Sequence, residues 1–217
     1  MERPEVALRV TIGRFISLEG GEGAGKSTQL RALARILRER GLDVVETREP
    51  GGSDGAEAIR TLLLTGGADR WSPRAEALLF AAARADHVEK TIRPALARGA
   101  WVLSDRFLDS SRAYQGQGEL SDSDILALHR IGSADFLPDR TLVLTLPDTV
   151  AAERARARDG DHADRIGGRD SSFHQAVADA FARFAGLESD RVRAVDASGS
   201  ADAVTERLIH ALADLLP

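Results

Sequence analysis

The sequence predicts an α/β fold: a parallel sheet of five strands layered between helices. Three observations predict it. Short apolar runs alternate with longer stretches whose apolar residues recur at helical spacing, the pattern of strands joined by helical crossovers. A glycine-rich loop, EGGEGAGKST (Glu19–Thr28), stands between the first such run and the first such stretch. The 217 residues, 43% of them hydrophobic, hold no repeat, low-complexity tract or dividing linker, which suits one compact unit over 1–217.

Each element has a local reason. Arg14–Leu18 (RFISL) is a buried strand, and Lys26–Arg40 is a helix with Leu30, Leu33, Ile36 and Leu37 in phase and Gly41 as its stop. Leu42–Glu46 reads as the second strand, followed by a polar turn, TREPGGSDG, and a short helix over Ala56–Leu64. Ser72-Pro73 pairs a cap with a first-turn proline and opens a long helical stretch to Gly99, kinked or restarted at Pro94. Ala100–Leu103 is the third strand. A helix from Asp109 to about Gln115 follows, then one over Asp122–Gly132 capped by Ser121. Thr141–Leu146 is the fourth strand and Val150–Arg158 a basic helix. Asp159–Asp170 is a polar loop, Ser172–Leu187 a helix, Val192–Val195 the fifth strand and Ala201–Leu216 the closing helix. Residues 1–13 read as an extension of unassigned purpose, and about 150–172 as a basic helix and lid.

Net charge is −5, so no basic excess is available to neutralise a nucleic-acid backbone, and nucleic-acid binding is not expected. Without cysteine there are neither disulfides nor thiolate metal sites. No stretch is long and apolar enough to span a bilayer, and the N-terminus lacks the apolar run of a signal peptide; a cytoplasmic protein is expected.

Of 29 basic residues only Lys26 and Lys90 are lysine. One of the two stands where a phosphate loop needs a compact ammonium rather than a planar fork. Strand, G-x-x-x-x-G-K-S and helix in succession are the confirming context for such a loop. Gly20, Gly23 and Gly25 permit the tight backbone, successive N–H groups face phosphate oxygens at the positive end of the helix, Lys26 reaches the β- and γ-phosphates, and the Ser27 hydroxyl holds Mg²⁺. The loop serves many chemistries. No N-K-x-D segment for guanine is present, and the third strand ends in Ser104-Asp105-Arg106 rather than in an acidic pair. There an aspartate can hold Mg²⁺ through water, and an arginine can bridge phosphates of two substrates; a surface ion pair explains Asp-Arg as well.

Three features point to an anionic acceptor. Arg48, in REPGG, follows the second strand at the end that lines the crevice of a parallel sheet. Phe80 and Arg84 are one helical turn apart, a ring for a base and a guanidinium for a phosphate, although core and solvated charge account for them equally. Tyr114, in RAYQG, is the only tyrosine and could pack on a sugar and exclude a 2′-hydroxyl. Beyond them Arg154, Arg156 and Arg158 precede the glycine-flanked loop with Arg165 and Arg169. An arginine-rich lid is what phosphoryl transfer needs, because charge spreads over the transferred group in the transition state.

Together FISLEGGEGAGKST, TREPGG, LLFAAAR, SDRF with SSRAYQG, and the RARAR–DRI segment resemble bacterial thymidylate (dTMP) kinases, in order from about Phe15 to the final helix. The resemblance implies a phosphate-loop (P-loop) kinase fold and usually a homodimer. It implies transfer of phosphate from ATP to dTMP with Mg²⁺. Gly20, Gly21, Glu22, Gly23, Ala24, Gly25, Lys26, Ser27 and Thr28 would bind ATP. Arg48 and Arg84 would grip the dTMP phosphate, Phe80 would stack on thymine, Tyr114 would screen against ribose, and Gln115 or Ser111 would sit near the base edge. Glu19, Pro50, Arg106 and Ser110 complete the implied acceptor site. Ser27 and Asp105 would attend the metal, and Lys26 and Arg106 with lid arginines among Arg154, Arg156, Arg158 and Arg165 would be catalytic. Thr145, Gly167, Phe107 and the long GDHAD segment depart from the common pattern. Two rivals remain: a deoxynucleoside kinase, whose hydroxyl acceptor needs a carboxylate base, and a regulatory ATP-binding module without transfer activity.

Overall fold

The computed structural model describes residues 12–67, 69–159 and 167–217, with residues 148, 155, 156, 158 and 159 described by backbone alone. Its strands are β1 (Phe15–Glu19), β2 (Val44–Arg48), β3 (Trp101–Asp105), β4 (Arg140–Thr145) and β5 (Val192–Asp196). They form one sheet in the order β2-β3-β1-β4-β5, every pairing parallel. The helices are α1 (Lys26–Glu39), α2 (Asp54–Leu64), α3 (Pro73–His87), α4 (Arg93–Ala97), α5 (Leu108–Gln115), α6 (Asp122–Ser133), α7 (Asp148–Asp159), α8 (Ser171–Leu187) and α9 (Ala201–Ala211).

Strand periodicity divides the core into layers. On one face Ile16 and Leu18 of β1 join Leu103, Leu142 and Leu144 under α1 and α9. On the other, Phe15 and Val102 pack beneath α3, α4 and α6, and Val143 and Val192 beneath α5 and α8. Because the strands are parallel, Leu18 lies beside Asp105, Arg48 beside Asp105, and Thr145 beside Asp196. All five C-terminal ends therefore open on one rim, where the crossover from β1 to β2 runs one way and that from β3 to β4 runs the other, and a crevice forms.

Several element bounds differ from the sequence expectation, and three of the differences have a local reason. β2 begins two residues later than expected, because Leu42 is used by the end of α1: its N–H bonds the Leu37 carbonyl while Gly41, at φ 83°, bonds that of Arg38. The stretch to Gly99 restarts next to Pro94, as expected, but without a gap. α3 runs on through a π-helical turn, Val88–Ile92, into α4, so the helix widens just ahead of the residue that has no N–H to give and whose ring crowds the preceding turn. α9 ends at Ala211, where Leu212 and Ala213 tighten to bonds three residues back.

Candidate active site

The rim holds a cleft of about 880 Å³. Its two walls are built differently. The first wall is the loop between β1 and α1. Gly20, Gly23 and Gly25 all take positive φ, and a Cβ on Gly20 would stand 2.5 Å from the Leu144 carbonyl oxygen. Helices α2, α3, α6, α8 and α9 each begin with a side-chain cap, from Ser53, Ser72, Ser121, Asp170 and Ser200. α1 begins at Gly25 with no side-chain cap and no acidic residue in its first turn. Its first N–H groups, and the positive end of its dipole, are thus left for an anion from outside the helix. Gly23 through Thr28 line the cleft, with Glu22 beside them. Gly20 and Gly21 do not line it: their carbonyls accept from Lys26 Nζ at 3.1 and 2.8 Å and fold the ammonium against the loop. Burial, and then the Arg106 charge, lowers the Lys26 pKa to about 8.

At the junction of the walls Ser27 Oγ donates to Asp105 Oδ2 at 2.5 Å, across 78 residues of chain. One hydroxyl and one carboxylate side by side are the hard oxygen donors that suit Mg²⁺ shared with phosphates. Among the described residues no larger cluster of acidic, histidine or cysteine side chains could hold a metal. Arg106 adopts φ 72°, uncommon for a residue with a side chain, and this turns its guanidinium back over the loop. There it pairs with Glu22 Oε1, donates to Ser110 Oγ at 3.1 Å, and lies 4.9 Å from the Tyr114 ring centre.

The second wall is assembled from β2, α3 and α5. Arg84 is buried. Its Nε donates to Glu49 Oε2 at 2.8 Å and its Nη2 to Ser111 Oγ and the Phe107 carbonyl. Glu49 turns its other oxygen to His87 Nδ1 at 3.0 Å, and His87 Nε2 meets Thr47 Oγ1 at 2.7 Å. Phe80, Arg84, Ser110, Ser111, Tyr114 and Gln115 all line the cleft, as do Arg48 and Pro50. Arg48 lies at the mouth, half-exposed and paired with Glu57. Burial pushes the Tyr114 phenol above its ordinary value.

Glu19 corrects an expectation. It does not reach the cleft that an acceptor would enter. It is wholly buried below the floor, where it accepts from the Phe107 N–H at 2.8 Å and from the Ser110 hydroxyl, so it anchors the turn that carries Arg106. Burial first, and then the charge of Asp109, raises its pKa to about 8. Phe107, a departure from the family pattern, is core: its ring meets Phe15 edge-on. Of the expected lid arginines, Arg154 lines the cleft. The side chains of Arg156 and Arg158, and all of Arg165, lie outside the described residues.

Sequence reasoning missed Glu49, Glu76 and His87. A signal for two of them existed. Glu76, Phe80, Arg84 and His87 follow at intervals of four, four and three, one face of α3, and only the middle pair was read from it. Glu49 was quoted within REPGG without a role.

A strand, an uncapped glycine-rich helix start bearing lysine and serine, and an Asp-Arg strand end opposite a pocket of ring and guanidinium define a P-loop phosphotransferase. The family profile for thymidylate kinase matches residues 18–208, and the chain belongs to that family. It is 65% identical to a thymidylate kinase of Rhizorhabdus wittichii over 206 residues, 94% of this chain and 99% of that one. It is 52% identical to that of Caulobacter vibrioides, over 90% of this chain and 94% of that one. The crystal structure of thymidylate kinase from Ehrlichia chaffeensis superposes with a TM-score of 0.73 at 31% identity, covering 92% of this chain and 98% of that one.

Proposed function

We propose that this protein transfers the γ-phosphoryl group of ATP to dTMP, forming dTDP and ADP. The observation that carries the reading is the pairing of the two walls in a chain of this family. A phosphate cradle faces a pocket in which Phe80, Arg84, Tyr114 and Gln115 converge, with Asp105 and Arg106 between them.

An oxygen of the dTMP phosphate, already ionised near neutral pH, attacks the γ-phosphorus while the bond to the β–γ bridging oxygen breaks. No side chain need remove a proton, so the barrier is electrostatic: two anions must meet in line. The loop N–H groups and Lys26 hold the ATP phosphates. Arg48 and Arg84 hold the acceptor phosphate, and Arg84 is fixed for that purpose by Glu49 and Ser111. Arg106 stands between the two and neutralises charge on the group in transit. Arg154, with Arg156, Arg158 and Arg165, supplies further cationic charge from the lid. Ser27 and Asp105 would hold Mg²⁺, which when bound neutralises phosphate charge.

Phe80 would offer its face to the base, and Tyr114, which lines the cleft beside Arg106, would screen against a 2′-hydroxyl. Among the described residues no helix is long and apolar enough to cross a membrane. We place the enzyme in the cytoplasm as a homodimer. Leu62, Leu78, Leu126 and Ile131, the last two-residue pair 37% and 82% exposed, lie on the packed helices α2, α3 and α6 and support that assembly.

The test is to mix the protein with ATP, Mg²⁺ and each nucleoside monophosphate in turn and to follow ADP. ADP formed chiefly with dTMP is expected. ADP with thymidine but not with dTMP would make it a nucleoside kinase, and none with any acceptor would leave a nucleotide-binding module.

A further inference from the structure

Gln115 lies at the end of α5, lines the cleft, and donates from its amide nitrogen to Glu76 Oε1 at 3.1 Å. Glu76 is buried on α3 behind the cleft and does not line it. Arg169, from the turn entering α8, donates to both oxygens of the same carboxylate at 3.0 and 3.1 Å, and its guanidinium sits 4.5 Å from the centre of the Phe173 ring.

An ionised carboxylate can only accept, and an amide has one accepting end and one donating end. Glu76 accepts from Arg169 on both of its oxygens, as a carboxylate does. Glu76 therefore chooses between the two orientations of the Gln115 amide. The NH₂ must face the carboxylate, because the reverse would set carbonyl oxygen against carboxylate oxygen in a buried place. The Gln115 carbonyl has no hydrogen-bond partner among the described residues and is the end left to the cleft.

We infer that Glu76, with Arg169 as its counter-charge, is a positioning residue that fixes the hydrogen-bonding sense of Gln115 and so selects the acceptor's base. The inference rests on the monophosphate-kinase reading above. A carbonyl presented at the base edge accepts from a pyrimidine that carries N3–H. It opposes the bare N3 of cytosine, leaving two acceptors face to face. The pair also links base selection to the chain returning from the lid, since Arg169 and Glu76 stand 93 residues apart.

The experiment measures kcat and KM for dTMP and dCMP in the wild type, Glu76→Gln, Gln115→Ala and the double variant, with the KM for ATP as control. A glutamine at 76 can donate as well as accept, so it releases the Gln115 amide to turn. We expect the dTMP KM to rise about tenfold with kcat within about twofold, and the dTMP-over-dCMP preference in kcat/KM to fall about tenfold. In the double variant the loss should match Gln115→Ala alone, since Glu76 acts through that amide. Arg169→Gln, at a partly exposed side chain, should shift the preference in the same direction, and serves if Glu76→Gln fails to fold. An unchanged preference in Glu76→Gln and Arg169→Gln, or losses that add in the double variant, would overturn the inference while leaving the kinase reading intact. A wild type that makes no ADP with dTMP would overturn both.

Discussion

On the function proposed above, the two walls of the cleft solve the same problem, holding a phosphate, by opposite means. The donor wall uses backbone: one short segment, Glu22–Thr28, brings N–H groups, the Lys26 ammonium and the Ser27 and Thr28 hydroxyls to a helix end that no side chain caps. The acceptor wall uses side chains from three elements, each held by another. Arg84 is fixed by Glu49 and Ser111, Glu49 by His87, and Gln115 by Glu76. The difference teaches where each wall is vulnerable. The donor wall loses chemistry without losing structure, whereas much of the acceptor wall cannot be touched without exposing a buried charge.

Lys26→Ala sharpens this contrast most. Transfer should fall by about a thousandfold or more, with thermal unfolding little changed, because among the described residues the lysine's hydrogen bonds go to loop carbonyls and it carries its own burial cost. An active variant would break the assignment of the donor wall.

Arg84→Met should do both kinds of damage. Among the described residues it leaves the buried Glu49 with His87 as its remaining side-chain partner, at a cost of about 3–5 kcal/mol in urea unfolding. Adding Glu49→Gln should recover part of that stability, while the dTMP KM stays about a hundredfold high. Recovery of dTMP binding along with stability would mean that Arg84 is scaffolding alone.

Arg48→Ala separates the mouth from the interior of the same wall. Its pair with Glu57 is exposed on both sides, so stability should change by less than about 1 kcal/mol. The dTMP KM should still rise about tenfold.

The smallest effect is a proton. With its pKa lowered to about 8, Lys26 is only part-charged in the free protein near that pH, and bound phosphates draw the proton back. Calorimetry in buffers of different ionisation enthalpy should therefore show fractional proton uptake when ATP binds near pH 8, absent in Lys26→Arg. The linked effect on stability follows from the sign of the shift. A lysine whose folded pKa is below its unfolded 10.5 costs stability below about 8, and that cost fades as pH rises between the two.

The donor wall was legible because its function is contiguous. Glycine spacing, the rare lysine and the strand–loop–helix context all lie within one short window. The alternation of elements was legible for the same reason, since periodicity is local. Arg48, Phe80, Arg84 and Tyr114 could be singled out only as types suited to a nucleotide, with core packing or a solvated charge equally open at Phe80 and Arg84. Glu19 entered the acceptor site only through the family resemblance, and a strand end carries no mark of which face its side chain takes relative to the turn above it.

By itself, then, the sequence determined the order of strands and helices, the phosphate cradle and the family. Tertiary structure alone decided that Glu19 lies beneath the floor, that Arg106 turns back over the loop in a left-handed conformation, that Glu49 holds Arg84 within the cleft wall, and that Glu76 stands behind Gln115. The reason is physical. Backbone N–H groups along one loop keep their geometry from bond to bond. A buried carboxylate instead takes its meaning from donors such as Ser110 or Arg169, 91 and 93 residues away, which only packing brings within hydrogen-bond reach.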